Sequence, residues 1–291
     1  MAILEVSALS FAYPGGMDVL HNVNFAVEEG ESVALLGANG CGKTTLFQHF
    51  NGLLKPRNGS VILKGKNLSQ WNSTEIFRRV GLVFQDPNDQ LFAASVYEDV
   101  SYGPTNLRLP TEEIAQRVEH ALKQIGMWEY RGRSLQQLSY GQKKRIAIAG
   151  ILAMRPEIII LDEPTAGLDP RTAASLMRLL KSLQKEQNFT IILSTHDVDL
   201  VPIYCERVYV MQAGEMLLSG TPMEVFQDPR QIREAFLRLP RVAHLWEILK
   251  NKEGLVSKEN PLTIHEARLA FRRSMEVIID DFSIGGNSSC S

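Results

Sequence analysis

Short apolar runs separated by turn residues dominate the chain and have the lengths of β-strands. Glycine, proline and acidic residues mark the turns between them. The run Ile158–Leu161 is apolar throughout, which is typical of a strand buried on both faces of a parallel sheet. The pattern predicts strands at Ile3–Leu9, Val23–Val27, Ser32–Leu36, Ser60–Leu63, Val80–Phe84, Ile158–Leu161, Thr190–Thr195, Arg207–Met211 and Glu215–Leu218.

Helical spacing replaces this pattern in the middle of the chain. Apolar residues recur at intervals of three and four over Ile114–Ile125 and again over Ile146–Leu152. Thr111 with two following glutamates is a good helix start, and Ser73 is expected to cap a short helix that runs to Arg79. We interpret residues 86–153 as an α-helical insertion into an α/β core.

The pattern changes once more after residue 228. Phe236–Lys250 and Thr263–Arg273 are predicted to be amphipathic helices, joined by a linker over Leu255–Pro261. Residues 283–291 are rich in serine and glycine and are expected to form a disordered tail. We therefore expect a main domain over residues 1–228, a helical extension over 229–282 and the tail.

Composition narrows the class of protein. The 31 basic residues nearly balance the 33 acidic ones, which argues against nucleic acid as a partner. The three cysteines have unrelated spacings and indicate reduced thiols rather than a disulfide framework or a zinc site. The N-terminus lacks the features of a signal peptide, and no apolar run is long enough to span a bilayer. We expect a soluble chain that can still dock on a membrane protein.

A glycine-rich loop follows the strand Ser32–Leu36 and matches the P-loop pattern G-x-x-x-x-G-K-[ST]. Its glycines let main-chain N–H groups converge on phosphate oxygens at the start of a helix. Lys43 is expected to reach the β- and γ-phosphates, and the Thr44 hydroxyl to bind Mg²⁺. We interpret Cys41 as a small loop residue and not a nucleophile. The candidate nucleotide-binding residues here are Gly37, Ala38, Asn39, Gly40, Cys41, Gly42, Lys43, Thr44 and Thr45.

Polar side chains stand at the carboxyl ends of three other predicted strands, where ligands bind in open α/β sheets. Asp162 and Glu163 follow Leu161, and we expect Asp162 to hold the metal and Glu163 to activate water. Gln85 has an amide oxygen suited to Mg²⁺ or water, and His196 can contact the γ-phosphate. Each residue taken singly also fits an ordinary polar strand end.

Two further features are candidates for nucleotide contacts. Tyr13 offers a flat ring for stacking on adenine, although an ordinary interfacial tyrosine is an equal alternative. Leu138-Ser139-Tyr140-Gly141-Gln142 starts a helix, and its free N–H groups with Ser139 form a second anion site or simply a capped helix.

The ordered set of P-loop, Gln85, Leu-Ser-x-Gly-Gln, Asp162-Glu163, Leu-Asp and His196 resembles the ATP-binding-cassette (ABC) ATPases over about residues 2–228. The resemblance implies an α/β P-loop fold with an N-terminal antiparallel β part, a mainly parallel core sheet and a helical subdomain. It also implies that the cofactors are ATP and Mg²⁺, with Thr44, Gln85 and Asp162 around the metal. Its implied roles are adenine stacking for Tyr13, catalysis for Glu163, His196 and Gln85, and nucleotide contact for Ser139, Gly141, Gln142 and Asp169.

In this family the Leu-Ser-x-Gly-Gln signature binds the ATP held by the P-loop of the other subunit. The resemblance therefore implies a head-to-tail homodimer with two ATP molecules between the subunits. Tyr140 stands where the family usually has glycine, while Ser139 and Gly141 are retained.

Gln85-Asp-Pro-Asn-Asp-Gln-Leu-Phe92 and the helical extension are similar to the ATPases of energy-coupling-factor importers. The combination of Gly-Ala-Asn-Gly-Cys-Gly-Lys, Leu-Ser-Tyr-Gly-Gln-Lys-Lys-Arg-Ile-Ala-Ile-Ala-Gly and Ser-Thr-His-Asp-Val-Asp-Leu is most similar to those for cobalt. This implies a transmembrane coupling protein and a substrate-selecting membrane component as partners, at the cytoplasmic face of the cell membrane. Nickel, biotin or another vitamin remains open as substrate, and a conventional importer or an exporter is the serious rival.

Other nucleotide-binding classes fit less well. The interval between Thr45 and Ser139 is too short for the long coiled coil of a chromosome-maintenance ATPase. A GTPase would need Asn-Lys-x-Asp, and Asn251-Lys252-Glu253-Gly254 lacks the aspartate. A soluble translation-factor ATPase usually carries two cassettes, whereas this chain has one.

Overall fold

The strands of the computed structural model, which describes residues 2–16, 18–253, 255 and 259–273, form two sheets. The first sheet has the order β2-β1-β4-β5 and the second β10-β9-β3-β8-β7-β6. Their bounds are β1 (Ala2–Ala12), β2 (Asp18–Glu28), β3 (Ser32–Leu36), β4 (Asn58–Leu63), β5 (Lys66–Asn67), β6 (Val80–Val83), β7 (Ile158–Leu161), β8 (Thr190–Ser194), β9 (Arg207–Gln212) and β10 (Glu215–Gly220).

The first sheet is antiparallel, and this confirms the expected N-terminal β part. Leu4, Val6 and Leu9 of β1 are buried, whereas Glu5 between them is exposed. This alternation is that of a sheet with one face on a core and one in solvent. β1 and β2 extend several residues beyond the apolar runs that predicted them, because main-chain pairing continues through their polar ends.

The second sheet is parallel except for β10, as expected for the core. Successive residues of β7 pack into different clusters: Ile159 and Leu161 lie on one face, Ile158 and Ile160 on the other. A strand covered on both faces needs apolar side chains at every position, which explains its unbroken apolar sequence.

Helices cover both faces of this sheet. They are α1 (Lys43–Phe50), α2 (Ser73–Arg79), α3 (Val96–Asn106), α4 (Thr111–Gln124), α5 (Tyr140–Met154), α6 (Pro170–Gln187), α7 (Val201–Tyr204), α8 (Pro222–Phe226), α9 (Pro229–Glu234), α10 (Arg241–Lys252) and α11 over residues 264–273. α3 to α5 form the expected helical insertion between β6 and β7. Asn72, not Ser73, caps α2, because the Asn72 side chain accepts from Glu75 N and the Glu75 side chain reaches back to Asn72 N.

The extension after residue 228 differs from the prediction in its helices. The expected helix over Phe236–Lys250 is replaced by the short α9 and by α10, which starts only at Arg241. Pro240 precedes α10 and disfavours helical geometry in the residue before it, and Phe236 has a left-handed φ of 58°. The extension also shares its core with the main domain, since Ile232, Leu239 and Leu262 join the same cluster as β7.

Two parts of the sequence-based interpretation lie wholly or partly outside the described residues. The tail over residues 283–291 is not described, and of the linker Leu255–Pro261 only residue 255 and residues 259–261 are. Among the helices that are described, none combines the length and the apolar character needed to cross a membrane.

Burial of the extension predicts that it contributes to the stability of the whole chain. Ile232 is fully buried, so Ile232→Ala should lower the free energy of unfolding by about 2–5 kcal/mol. Ile203→Ala removes the same atoms from a side chain that is 56% exposed. This control should change the free energy of unfolding by no more than about 0.5 kcal/mol. Urea unfolding of both variants measures the difference, and equal midpoints would show that the extension does not share the core.

Candidate functional site

The P-loop connects β3 to α1 and packs tightly against β9. A Cβ atom at Gly37 would lie 2.4 Å from Met211 O and 2.6 Å from Cys41 Sγ, so only glycine fits. Gly42 precedes α1 with a left-handed φ of 108°. Burial raises the pKa of the Cys41 thiol, and Lys43 offsets this only in part. Cys41 is therefore a packed thiol, in agreement with its interpretation as a loop residue.

Lys43 lies folded over its own loop. Its Nζ donates hydrogen bonds to Gly37 O at 2.8 Å and Ala38 O at 3.1 Å. An open cleft of about 380 Å³ adjoins the loop. The predicted site residues among those that line it are Asn39, Gly40, Gly42, Lys43, Thr44, Thr45, Gln85, Asp162 and Glu163. The structure thus brings together residues that follow the ends of β3, β6 and β7.

The residues at the bottom of this cleft suit a magnesium ion. Thr44 Oγ1 donates a 2.6 Å hydrogen bond to Asp162 Oδ2, and the Gln85 side chain lines the same cleft. A hydroxyl, a carboxylate and an amide are the oxygen donors that Mg²⁺ uses beside substrate phosphates and water. Within the described residues no three His, Cys, Asp or Glu side chains cluster into a metal site.

Ser194 is a site residue that the sequence analysis missed. It ends β8, between β3 and β7 in the sheet, and it is fully buried. Its Oγ donates to Asp162 Oδ1 at 2.6 Å and accepts from Glu163 N at 2.8 Å. Ser194 therefore orients the two acidic residues at once. Its position two residues before His196, at the end of a buried strand, was the available signal.

Glu163 and His196 come together at the edge of the cleft. Glu163 Oε1 lies 2.7 Å from His196 Nε2, an ion-pair distance, but the angles are not those of a hydrogen bond. Burial raises the pKa of the Glu163 carboxyl, while His196 and Lys43 oppose the rise. A buried carboxylate oxygen without a hydrogen-bond partner, as Oε1 is here, is poised to take a proton.

Ser139 begins α5 and lies away from the P-loop cleft. Its Oγ accepts from Gln142 N, and Gln142 Oε1 accepts from Ser139 N at 2.9 Å, which is a capping box. Neither these two residues nor Gly141 lines the P-loop cleft of the same chain. Asp169 likewise caps α6, accepting from Arg171 N and Thr172 N at 3.0 Å. These four predicted contact residues are therefore not brought to the P-loop within one chain.

Tyr13 and Tyr140 lie in different parts of the site. Tyr13 Oη shares a 3.1 Å hydrogen bond with Thr45 Oγ1, and its ring packs edge-on against Phe11. The ring is therefore held beside the P-loop, where stacking and a purely interfacial role both remain open. Tyr140 Oη is 3.4 Å from Gln85 O, and its ring is so close to Gly167 that a Cβ there would clash.

Comparisons with known proteins agree on one family. The family model described as ABC transporter matches residues 20–166. A relative from Methanocaldococcus jannaschii, named energy-coupling factor transporter ATP-binding protein EcfA, is 56% identical over 92% of this chain and 96% of its own. EcfA2 from Clostridium perfringens is 48% identical over 96% of this chain and 99% of its own.

Solved structures give the same result. CbiO1 from Clostridium perfringens, described as part of the ABC transporter complex cbiONQ, has a TM-score of 0.73 and 48% identity, covering 85% of this chain and 99% of its own. A dimeric ATP-binding cassette bound to ADP and Pi has a TM-score of 0.68 and 29% identity, covering 75% of this chain and 98% of its own.

The contacts of Ser194 generate a prediction. In Ser194→Ala, Glu163 N and Asp162 Oδ1 lose a buried partner, which should destabilise the fold by about 1–3 kcal/mol. The Mg²⁺ concentration for half-maximal ATP hydrolysis should rise roughly 10-fold or more, the usual effect of losing a residue that orients a metal ligand. Ser182→Ala on the exposed face of α6 is the control. An unchanged Mg²⁺ dependence would show that Ser194 does not orient Asp162.

Proposed function

This chain belongs to the ABC transporter ATPases, and we propose that it powers an energy-coupling-factor importer by ATP-driven closure and reopening of a dimer. The observation that carries this proposal is the meeting of Thr44, Asp162 and Glu163 in one cleft beside the P-loop, with His196 against Glu163. The similarity to EcfA and CbiO1 over nearly the whole chain supports the type of transporter.

The P-loop main chain and Lys43 bind the phosphates of ATP in this mechanism. Lys43 exchanges its bonds to Gly37 O and Ala38 O for phosphate oxygens, so its positive charge is already in place before the nucleotide arrives. Thr44, Asp162 and Gln85 hold Mg²⁺, which neutralises charge on the β- and γ-phosphates when it is bound. Tyr13 supplies a ring for the adenine.

Glu163 acts as the general base. Its Oε1 takes a proton from the attacking water, and its raised pKa favours this transfer near neutral pH. His196 lies within ion-pair distance of the carboxylate and its side chain is 43% exposed, so it can orient Glu163 and remains accessible to the γ-phosphate. These two roles make Glu163 and His196 the catalytic pair, with Gln85 positioning water or metal.

A second copy of the chain completes each site. Ser139, Gly141, Gln142 and Asp169 do not line the P-loop cleft of their own chain, and a head-to-tail partner can bring them to it. ATP then contacts both chains only in the closed dimer and shifts the equilibrium toward closure. A shift from 1:99 to 99:1 needs about 5.5 kcal/mol of differential binding. Loss of the γ-phosphate removes that link and reopens the dimer.

An apolar groove supports docking on a membrane partner. It has a volume of about 400 Å³ and lies between the parallel sheet and the helical insertion. Phe92 and Tyr102 pack edge-on at 4.7 Å and remain 65% and 52% exposed. Asp99 Oδ1 accepts from Phe92 N and holds this segment in place. Large exposed aromatics around a groove mark an interaction site, here for the transmembrane coupling protein.

The substrate is proposed from similarity alone. CbiO1 is described as part of cbiONQ, which supports cobalt or nickel, with a separate membrane component that selects the ion. This chain would then act at the cytoplasmic face of the membrane as a peripheral subunit. The alternatives are a vitamin importer of the same type and a conventional ABC transporter.

Replacing the base tests the catalytic mechanism. Glu163→Gln should lower the rate of ATP hydrolysis roughly 10²–10⁴-fold, the scale of a lost general base. ATP binding should persist, and the variant should accumulate as an ATP-bound dimer in size-exclusion chromatography. Glu186→Gln, on the exposed face of α6, is the matched control and should hydrolyse ATP like the wild type. Wild-type turnover by Glu163→Gln would show that Glu163 is not the base.

Replacing an aromatic of the groove tests the membrane partner. Phe92→Ser should weaken docking by about 2 kcal/mol or more, the usual loss at a central aromatic contact. The ATP turnover of the isolated chain should not change. Phe236→Ser, at an 80% exposed phenylalanine of the extension, is the control. Retention of membrane proteins by Phe92→Ser to the wild-type level would exclude the groove as the docking site.

The transporter type is tested by pull-down from detergent-solubilised native membranes. Recovery of a coupling protein with a small metal-binding membrane component would support the cobalt or nickel assignment. Recovery of a paired permease with a soluble binding protein would be compatible with the ATPase mechanism. It would show that the transporter is a conventional ABC transporter and not an energy-coupling-factor importer.

A further inference from the structure

Lys144 is a fully buried lysine that the mechanism above does not use. It lies on the second turn of α5, the helix that begins after Ser139, and none of its surface is exposed. Its Nζ donates a 2.9 Å hydrogen bond to Glu163 O. Lysine is almost never fully buried without a partner, because removing an ammonium group from water is costly. Its place beside the catalytic base therefore calls for a functional explanation.

The surroundings keep this lysine charged at neutral pH. Burial lowers the pKa of Lys144 to about 8, and the carboxylates of Asp162, Glu163 and Asp86 oppose the decrease. The hydrogen bond itself goes to a main-chain oxygen, so the ammonium group fixes the backbone of Glu163 and leaves its carboxylate free to react. A charged donor makes this bond stronger than one between neutral groups.

The backbone of Glu163 needs such support. Its φ of 48° is left-handed, a conformation that costs a residue other than glycine about 1–2 kcal/mol. Three hydrogen bonds hold it there: Ser194 Oγ accepts from Glu163 N, and Glu163 O accepts from Ala166 N within the turn and from Lys144 Nζ. The same left-handed turn places the carboxylate 2.7 Å from His196. The orientation of the Glu163 carboxylate therefore depends on contacts that β8 and α5 make with its main chain.

We propose that Lys144 is a positioning residue that holds the main chain of Glu163 in its left-handed turn and ties the catalytic base to the helix beginning at Ser139. This inference rests on the proposed role of Glu163 as the base. Lys144 does not line the P-loop cleft, and its Nζ reaches the site through Glu163 O. A purely structural lysine, in contrast, would stabilise the fold without a specific effect on turnover.

Two variants of the full chain test the proposal. Lys144→Met removes the charge and the donor at similar length, and it should lower kcat roughly 10–100-fold, the cost of a small misplacement of a reacting group. KM for ATP should stay within about twofold, because the P-loop contacts are untouched. Lys144→Gln keeps an N–H donor and should recover part of kcat. Lys123→Met, at an exposed lysine paired with Glu119 on α4, is the matched control.

A double variant separates positioning from a general loss of stability. If Lys144 acts through Glu163, adding Lys144→Met to Glu163→Gln should change the residual turnover by less than about twofold, because coupled residues are not additive. Losses that multiply would overturn the proposal. The wild-type and Glu163→Gln rates report on the proposed ATPase mechanism, so a failure of that mechanism is distinguishable from a failure of the Lys144 role.

Hydrogen exchange gives a readout that does not depend on turnover. Amide exchange of the peptide covering residues 158–167 should rise in Lys144→Met, while peptides from the first sheet should exchange as in the wild type. If Lys144→Met does not fold, the shorter Lys144→Leu, which also lacks the donor, takes its place in both measurements. A folded variant without the donor that has wild-type kcat and wild-type exchange in this peptide would overturn the proposal.

Discussion

The hydrogen bond between Thr44 and Asp162 is the contact on which the rest of the site depends. It joins the P-loop after β3 to the acidic end of β7, two strands that are not neighbours in the sheet. β8 lies between them and ends at Ser194, which binds Asp162 from the other side. The strand order β3-β8-β7 is therefore a condition for a metal site here, since a different order would separate the hydroxyl from the carboxylate.

The P-loop cleft and the start of α5 are separate within one chain. The P-loop cleft holds phosphate-binding and acid–base groups, whereas Ser139 at the start of α5 lies outside it. Tyr140 bridges the two regions, reaching Gln85 O and packing on Gly167. A displacement of α5 would therefore move the contact of Tyr140 with Gln85 and the contact of Lys144 with Glu163. Rigid packed elements of this kind are how a change at one surface reaches another.

The sequence predicted those site residues that follow a buried strand directly. Asp162, Glu163 and His196 each come after an apolar run, so local pattern alone places them at one edge of the sheet. Ser194 gave only its place at a strand end and Lys144 gave no such signal, because their contacts are with partners 32 and 19 residues away that only the folded sheet brings near. The extension shows the same limit, since its amphipathic pattern indicated an apolar face but not the surface that buries it.

The extension also reaches the loop that carries His196. Arg238 contacts Asp197 and Asp199, and Arg241 N donates to Asp199 at 2.6 Å. Such exposed ion pairs each contribute only about 0–1 kcal/mol, so they do not hold the extension in place. The burial of Ile232 and Leu239 does that. Because apolar contacts fix the extension, Arg238 and Arg241 are kept close to Asp197 and Asp199, which directly follow His196 in the chain.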